Sequence, residues 1–306
     1  MELQQLRYFI AISKHRNFSR AAEECRVSQP GLSIQVQKLE KELGAPLFHR
    51  QGRTITLTSV GQRLLPKAES LLRLHSNTLD EIKDVVQSGG EALFGATLTI
   101  APYLIPYVVS QARKADMPPF RMEENFTENL ITKLFEGRLD FAIMSTPIED
   151  PKLLVKVIAR EPFVLVLPKS HALAKQQTVK LDDIGQEPFL PLSRIHCAGR
   201  QISEIYQACS SPQNAVFESV QIETILKLVE QGQGITLLPK MAVVHSLNDS
   251  LCFRSIEGEK VERKITLVQH PDRYLSESVR KMTELIQHYL NNFINERVQS
   301  VSRQNL

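Results

Sequence analysis

The sequence predicts an α/β protein with three parts: a helix-turn-helix head with a small β-wing, a long connecting helix, and a two-lobed α/β body. Three observations carry this. Apolar residues recur at helical spacing between capping signals through the first 44 residues. A near-heptad apolar pattern follows Ser59. Beyond Leu93, strand-like runs alternate with helix-like ones, the pattern of α/β units with a mainly parallel sheet. The chain of 306 residues is long enough for two or three domains, each with its own core.

In chain order, Leu3, Leu6, Phe9, Ile10 and Ile12 give a first amphipathic helix over 3–15 that can cover the back of a helical hairpin. The hairpin runs from Phe18 to Gly44. Ser19 is a candidate N-cap for its first helix, and Ser28 for its second, with Pro30 in the first turn, where a missing N–H costs nothing. Leu32, Val36, Leu39 and Leu43 bury one face of that helix, and Gly44 is its stop. The opposite face carries Gln29, Ser33, Ile34 and Gln37, with Arg20 on the preceding helix. Amides and hydroxyls at a capped helix start suit base edges and phosphates in a DNA major groove. By itself this stretch also fits an ordinary helical hairpin with a solvated face. Alternation in Thr54-Ile55-Thr56-Leu57-Thr58 after Gln51-Gly52-Arg53 predicts a two-stranded wing, with Arg53 placed for a minor groove and Arg50 for phosphate.

Ser59 is expected to cap a helix reaching about Gln87. Its apolar residues (Val60, Leu64, Ala68, Leu71, Leu72, Leu79, Ile82, Val86) form a stripe that, outside a core, pairs with another copy. Ser88-Gly89-Gly90 ends it as a hinge. In the body, strands are expected at 93–99, 119–125, 139–144, 153–159, 162–168, 188–191, 214–219, 235–239 and 262–269, and helices at 103–115, 127–136, 198–208, 221–231 and about 275–296. This gives a DNA-binding head over 1–58, a linker over 59–90 and a regulatory domain over 91–306. One lobe of that domain joins 91–161 to 268–300 and the other spans 162–267. A cleft between such lobes faces strand ends and helix N-termini, a usual ligand site.

Net charge is only +3, but its distribution is uneven: residues 1–66 hold ten Lys/Arg against five Glu, which gives +5 and leaves −2 for the rest. That asymmetry fits a polyanion-binding head on a neutral body. No charged-then-apolar leader and no membrane-spanning run occur, so a cytoplasmic protein without membrane partners is expected. The four cysteines include no CxxC pair, which argues against a zinc site; no metal and no cofactor are expected. Cys25 and Cys252 read as small buried hydrophobes.

The N-terminal third resembles the LysR-type transcriptional regulators. The matching residues are Leu6-x-x-Phe9, Asn17-Phe18-Ser19-Arg20-Ala21-Ala22, Val27-Ser28-Gln29-Pro30-x-Leu32-Ser33, Leu43-Gly44-x-x-Leu47-Phe48-x-Arg50 and Leu57-Thr58-x-x-Gly61. The resemblance implies a winged helix-turn-helix, a linker-helix dimer, a periplasmic-binding-protein-like effector domain and assembly as a dimer of dimers on double-stranded DNA, with RNA polymerase as a further partner. The rest of the chain looks like the OxyR-type peroxide sensors. That likeness is carried by Thr99-x-x-Pro102-Tyr103-Leu104-x-Pro106, by Thr127 with Leu134-x-x-Gly137-x-Leu139-Asp140, by His196-Cys197, by Gln221-x-Glu223-Thr224 and by Gly232-x-Gly234-Ile235-Thr236-Leu237-Leu238-Pro239. It makes Cys197 the cysteine that reacts with hydrogen peroxide, with Thr99, Thr127 and His196 lining its pocket, and a second cysteine, here Cys209, its resolving partner. The family's usual second position lies about one helical turn earlier.

The chemistry asked of such a site is specific. A thiolate is the nucleophile, and donors must hold the peroxide and stabilise the leaving oxygen. Cys197 precedes a predicted helix, where the dipole favours negative charge. Attack gives a sulfenic acid that a second thiol can condense into a disulfide. Were the twelve residues from Cys197 to Cys209 helical, they would span about 18 Å, far beyond the roughly 4.4–6.8 Å between Cα atoms that a disulfide tolerates. The segment would have to unwind, and Gly199 weakens it. Two other readings are a LysR-type regulator whose cleft binds a metabolite, with Cys197 merely lining it, and a thiol peroxidase, which the DNA-binding head argues against.

Overall fold

The computed structural model describes residues 1–306 except 52–53, 88–89, 115–116, 146–147, 149, 186, 208–217, 245–248, 258–260 and 302–306. The chain divides into two compact units, residues 1–86 with 135–137 and 272–274, and residues 87–134, 138–271 and 275–306.

The first unit opens with helices α1 (Leu3–His15), α2 (Phe18–Glu24) and α3 (Gln29–Leu43). The Asn17 side chain caps α2, accepting from the Ser19 and Arg20 N–H groups. The expected cap at Ser19 thus falls two residues too late, because Asn17 already satisfies the first free donors. Ser28 caps α3 as expected, accepting from Gly31 N–H with Pro30 in the first turn, and Gly44 ends it in the left-handed conformation at φ 70°. Leu6, Phe9, Ile12, Leu32, Val36 and Leu39 close the core. Strands β1 (Phe48–Gln51) and β2 (Thr54–Leu57) pair antiparallel as a two-stranded ribbon. Helix α4 (Ser59–Gln87) follows. Its entry is held by Thr58, not Ser59: the Thr58 hydroxyl accepts from Gly61 N–H and donates to Pro46 O. Gly61 is required there, since a Cβ would lie 2.3 Å from Leu47 O. Along α4, Ala68 is buried and Leu64, Leu65 and Leu72 pack on the head's core, while Leu71, Leu79, Ile82 and Val86 stay exposed.

The second unit is built on one eight-stranded sheet. Its strands are β3 (Ala92–Thr97), β4 (Phe120–Asn125), β5 (Phe141–Ser145), β6 (Leu154–Pro168), β7 (Thr178–Lys180), β8 (Thr236–Pro239), β9 (Leu251–Glu257) and β10 (Glu262–Gln269). The order is β4-β3-β5-β10-β6-β9-β7, with β8 also on β6. Helices α5 (Ala101–Lys114), α6 (Thr127–Phe135), α7 (Leu181–Ile184), α8 (Cys197–Gln207), α9 (Ile222–Glu230), α10 (Lys240–Val244) and α11 (Glu277–Val301) complete it.

The sheet is mixed rather than mainly parallel. β3 runs parallel to both β4 and β5, but β10 is antiparallel to β5 and β6, and β6 is antiparallel to β8 and β9. The two strands expected at 153–159 and 162–168 are one strand of 15 residues. Pro162 does not break it, because it pairs with Glu262 at the very start of β10, where a missing ladder donor costs little. Two cores form along β6. Ile158 packs with Phe94, Ile100, Phe141 and Ile286; Phe163, Leu165 and Leu167 pack with Leu192, Ile202 and Leu237. Residues 214–217 of the strand expected at 214–219 lie outside the described residues; Ser219 forms a parallel bridge with Leu192.

Candidate functional site

Cys197 is the first residue of α8 and is buried. What seats it there is Gly199. A Cβ on Gly199 would lie 2.1 Å from Ser193 O and 2.7 Å from Leu192 O, so only glycine lets the first turn of α8 press against the 192–193 backbone. Besides weakening the helix, this glycine therefore has a packing role.

The sulfur has two polar neighbours. Thr127, which opens α6, places Oγ1 2.9 Å from Cys197 Sγ. Arg200, one turn along α8, donates from Nη2 to the sulfur at 3.2 Å. Guanidinium nitrogens are donors only, so the sulfur accepts, a role that suits a thiolate. The N-terminal turn of α8 adds the positive end of a helix dipole.

Thr99 is set from behind by a buried ion pair. Arg263 on β10 and Glu161 on β6 are 0% and 1% exposed and meet at 2.7 Å. Arg263 also donates to Thr99 Oγ1 at 2.8 Å and to Thr99 O at 3.1 Å, while Glu161 accepts from Met241 N–H. Because Thr99 Oγ1 accepts from Arg263, its own hydrogen remains to be donated. Tyr103, on the same segment, is pushed up to about 12, first by burial.

His196 does not reach the sulfur with its Nε2, which lies 2.7 Å from Val220 O. A carbonyl only accepts, so Nε2 carries the proton. The ring tilts against Phe126 at 5.6 Å. Burial holds its pKa below the ordinary histidine value, partly opposed by the Val220 bond. Thr97, Thr99, Phe126, Thr127, His196 and Cys197 line one small pocket.

The structure thus gathers Cys197, Thr99, Thr127 and His196 around one cavity. Cys209 lies outside the described residues. Arg200 and Arg263 are the additions. Arg200 is three residues from Cys197 in a helix, a spacing that places side chains on one face. Nothing local marks Arg263, 164 residues from Thr99 in sequence. Among the described residues no group of three His, Cys, Asp or Glu is arranged to hold a metal ion.

In the head, Arg20, Ser28, Gln29, Pro30, Ile34 and Gln37 are exposed and Ser33 is half-buried. The Ser19 hydroxyl donates to Gln29 Oε1 at 2.9 Å, which ties the start of α2 to the start of α3. Ile34 is 52% exposed although a large apolar residue. Arg50 lies on β1, and Arg53 falls outside the described residues. Among the described residues, no helix is long and apolar enough to cross a membrane.

Comparison with known proteins places these features in context. Residues 3–62 match the family described as bacterial regulatory helix-turn-helix protein, lysR family, and residues 87–291 match the LysR substrate binding domain. The chain is 32% identical over 300 residues to a hydrogen peroxide-inducible genes activator of Dickeya chrysanthemi, covering 93% of this chain and 97% of that one. It is 30% identical over 294 residues to the DNA-binding transcriptional dual regulator OxyR of Escherichia coli K12, covering 94% and 95%. A full-length OxyR variant from Pseudomonas aeruginosa superposes with a TM-score of 0.70 at 30% identity, covering 96% of each chain. A hydrogen peroxide-bound OxyR variant from Corynebacterium glutamicum does so with a TM-score of 0.63 at 27% identity, covering 98% and 97%.

Proposed function

This chain belongs to the LysR family of bacterial transcriptional regulators and is similar to its OxyR-type members, and we propose that it senses hydrogen peroxide through Cys197. The observation that carries this is the Thr127 hydroxyl 2.9 Å from a buried sulfur at a helix start, in a small pocket that Thr99 and His196 also line.

The chemistry follows from the residues. The Cys197 thiolate attacks one peroxide oxygen, the S–O bond forms as the O–O bond breaks, and the sulfur is oxidised by two electrons. The other oxygen leaves with its hydrogen as hydroxide and takes up the proton given by the thiol, departing as water. Thr99 supplies an O–H group to the reacting oxygens, Thr127 and Arg200 hold the sulfur, and neutral His196 walls the pocket. Cys209 is the candidate to condense with the sulfenic acid. The change is stoichiometric, one event per chain, so the protein acts as a switch and not as an enzyme.

The output is a change in how a dimer of dimers sits on double-stranded DNA, with Arg20, Ser28, Gln29, Pro30, Ser33, Ile34, Gln37, Arg50 and Arg53 in the head as the contacting residues and RNA polymerase as the downstream partner. The exposed apolar stripe of α4 supports pairing with a second copy. The setting is the cytoplasm.

Thiol mapping by mass spectrometry, before and after one equivalent of peroxide, tests the reading together with a DNA footprint. Oxidation confined to Cys197, or to a Cys197–Cys209 cross-link, with an altered footprint is expected. A Cys197→Ser protein whose footprint responds to peroxide like wild type overturns it.

A further inference from the structure

We infer that Thr97 is a further peroxide-binding residue of this pocket, its hydroxyl holding one oxygen while Cys197 attacks the other. The inference rests on the peroxide-sensing reading above. Thr97 ends β3, is 6% exposed, and its Oγ1 has no hydrogen-bond partner among the described residues. A buried hydroxyl left unpaired is costly and uncommon, so one that lines a cavity points to what the cavity receives.

The strand places it. Side chains on a strand alternate faces, so Thr97 shares the face of Gly95. A Cβ on Gly95 would lie 2.4 Å from Leu130 Cδ2 on α6, so this face looks onto α6. Helix α6 begins at Thr127, whose hydroxyl meets the sulfur. Thr97 thus faces the layer whose first turn borders Cys197.

The chemistry selects the ligand. Hydrogen peroxide has a donor and lone pairs on each oxygen, and a threonine hydroxyl offers one donor and two acceptor sites. In this pocket, Thr99 Oγ1 already accepts from Arg263 and Thr127 Oγ1 is engaged with the sulfur. Thr97 keeps both roles open and can donate to the oxygen that departs as the O–O bond breaks, where charge develops.

The test compares Thr97→Val and Thr97→Ser with wild type in the full-length protein. Sulfenic acid formation at Cys197 by hydrogen peroxide is followed by trapping, and thiol reactivity by methyl methanethiosulfonate, which brings no hydroxyl to the site. Thr97→Val should slow oxidation by about tenfold, the loss of one hydrogen bond to the reacting oxygens. It should leave the methanethiosulfonate rate unchanged and the thermal midpoint unchanged or raised, because an unpaired buried hydroxyl has been removed. Thr97→Ser should restore most of the oxidation rate. Oxidation of Thr97→Val at the wild-type rate, or parallel loss of both reactivities, overturns the role of Thr97 and leaves the sensing reading standing. A wild-type Cys197 that peroxide does not oxidise overturns both.

Discussion

Removing the Glu161 carboxylate tests what holds Thr99 at the pocket. Glu161 and Arg263 meet at 2.7 Å with 1% and 0% exposure. In Glu161→Ala the guanidinium stays buried with its Nε unpaired, and Met241 N–H loses its acceptor. Breaking a buried pair from one side costs about 3–5 kcal/mol, a large part of the roughly 5–15 kcal/mol of a domain's stability. Arg160 and Glu262 are a control at nearly the same separation, 2.6 Å, but with Arg160 58% exposed. An exposed pair is worth about 0–1 kcal/mol, so Glu262→Ala should barely move the transition. Replacing both Glu161 and Arg263 by Met should recover much of the single-variant loss, yet oxidation of Cys197 should stay slow, since Thr99 loses its donor. The chain has no tryptophan, so urea unfolding is followed by far-UV circular dichroism. Glu161→Ala unfolding within about 1 kcal/mol of wild type, no more than an exposed pair is worth, would refute the argument.

Four further outcomes follow from the same geometry. Gly199→Ala should lower the thermal midpoint and slow Cys197 oxidation, because the new Cβ meets Ser193 O at 2.1 Å; helix propensity alone predicts the opposite sign, a gain of about 1 kcal/mol. Thr127→Val should slow sulfenic acid formation by about tenfold, the loss of one hydrogen bond at the reacting sulfur, measured by trapping. Burial lowers the folded-state pKa of His196, so the unfolded chain binds the proton more readily; its contribution to stability is present above about pH 6.5 and is lost as pH falls through the folded value. Urea midpoints measured from pH 8 to 5 should show that loss in wild type and less of it in His196→Asn. Replacing Leu79 and Ile82 on the exposed stripe of α4 by Asp should convert the assembly to smaller species in analytical ultracentrifugation, with the head still folded.

Legibility in the sequence tracked the range of the interactions. Ser28, Pro30 and Gly44 bracket α3 as read, because caps act within one turn. The same local signals misplace the start of α2, where Asn17 and Ser19 both qualify and only backbone geometry selects Asn17. The break expected between 159 and 162 fails since Pro162 stands where the ladder needs no donor, a fact fixed by β10, a hundred residues away. Thr99, Thr127, His196 and Cys197 were named through a resemblance; their meeting in one pocket joins the ends of β3, β4 and the 193–196 turn, which no spacing reveals. Arg263 and Thr97 had no signal, since an arginine in a strand and a threonine at a strand end are unremarkable until the fold pairs one and isolates the other.

The geometry also sets what the proposed Cys197–Cys209 bond would demand of α8. Helix α8 is continuous from Cys197 to Gln207, about 15 Å at 1.5 Å per residue, so a bond from Cys197 to Cys209, two residues past Gln207 in the sequence, would require α8 to unwind. The start of α8 is also its tightest point, where Gly199 leaves no room for a single methyl group against Ser193 O. An oxygen added to Cys197 changes what Thr127 Oγ1 and Arg200 Nη2, now 2.9 and 3.2 Å from the sulfur, can bond to. The Arg200 contact ties the first turn of α8 to the sulfur. The proposed disulfide would thus have to open the same turn of α8 that seats Cys197 and Arg200.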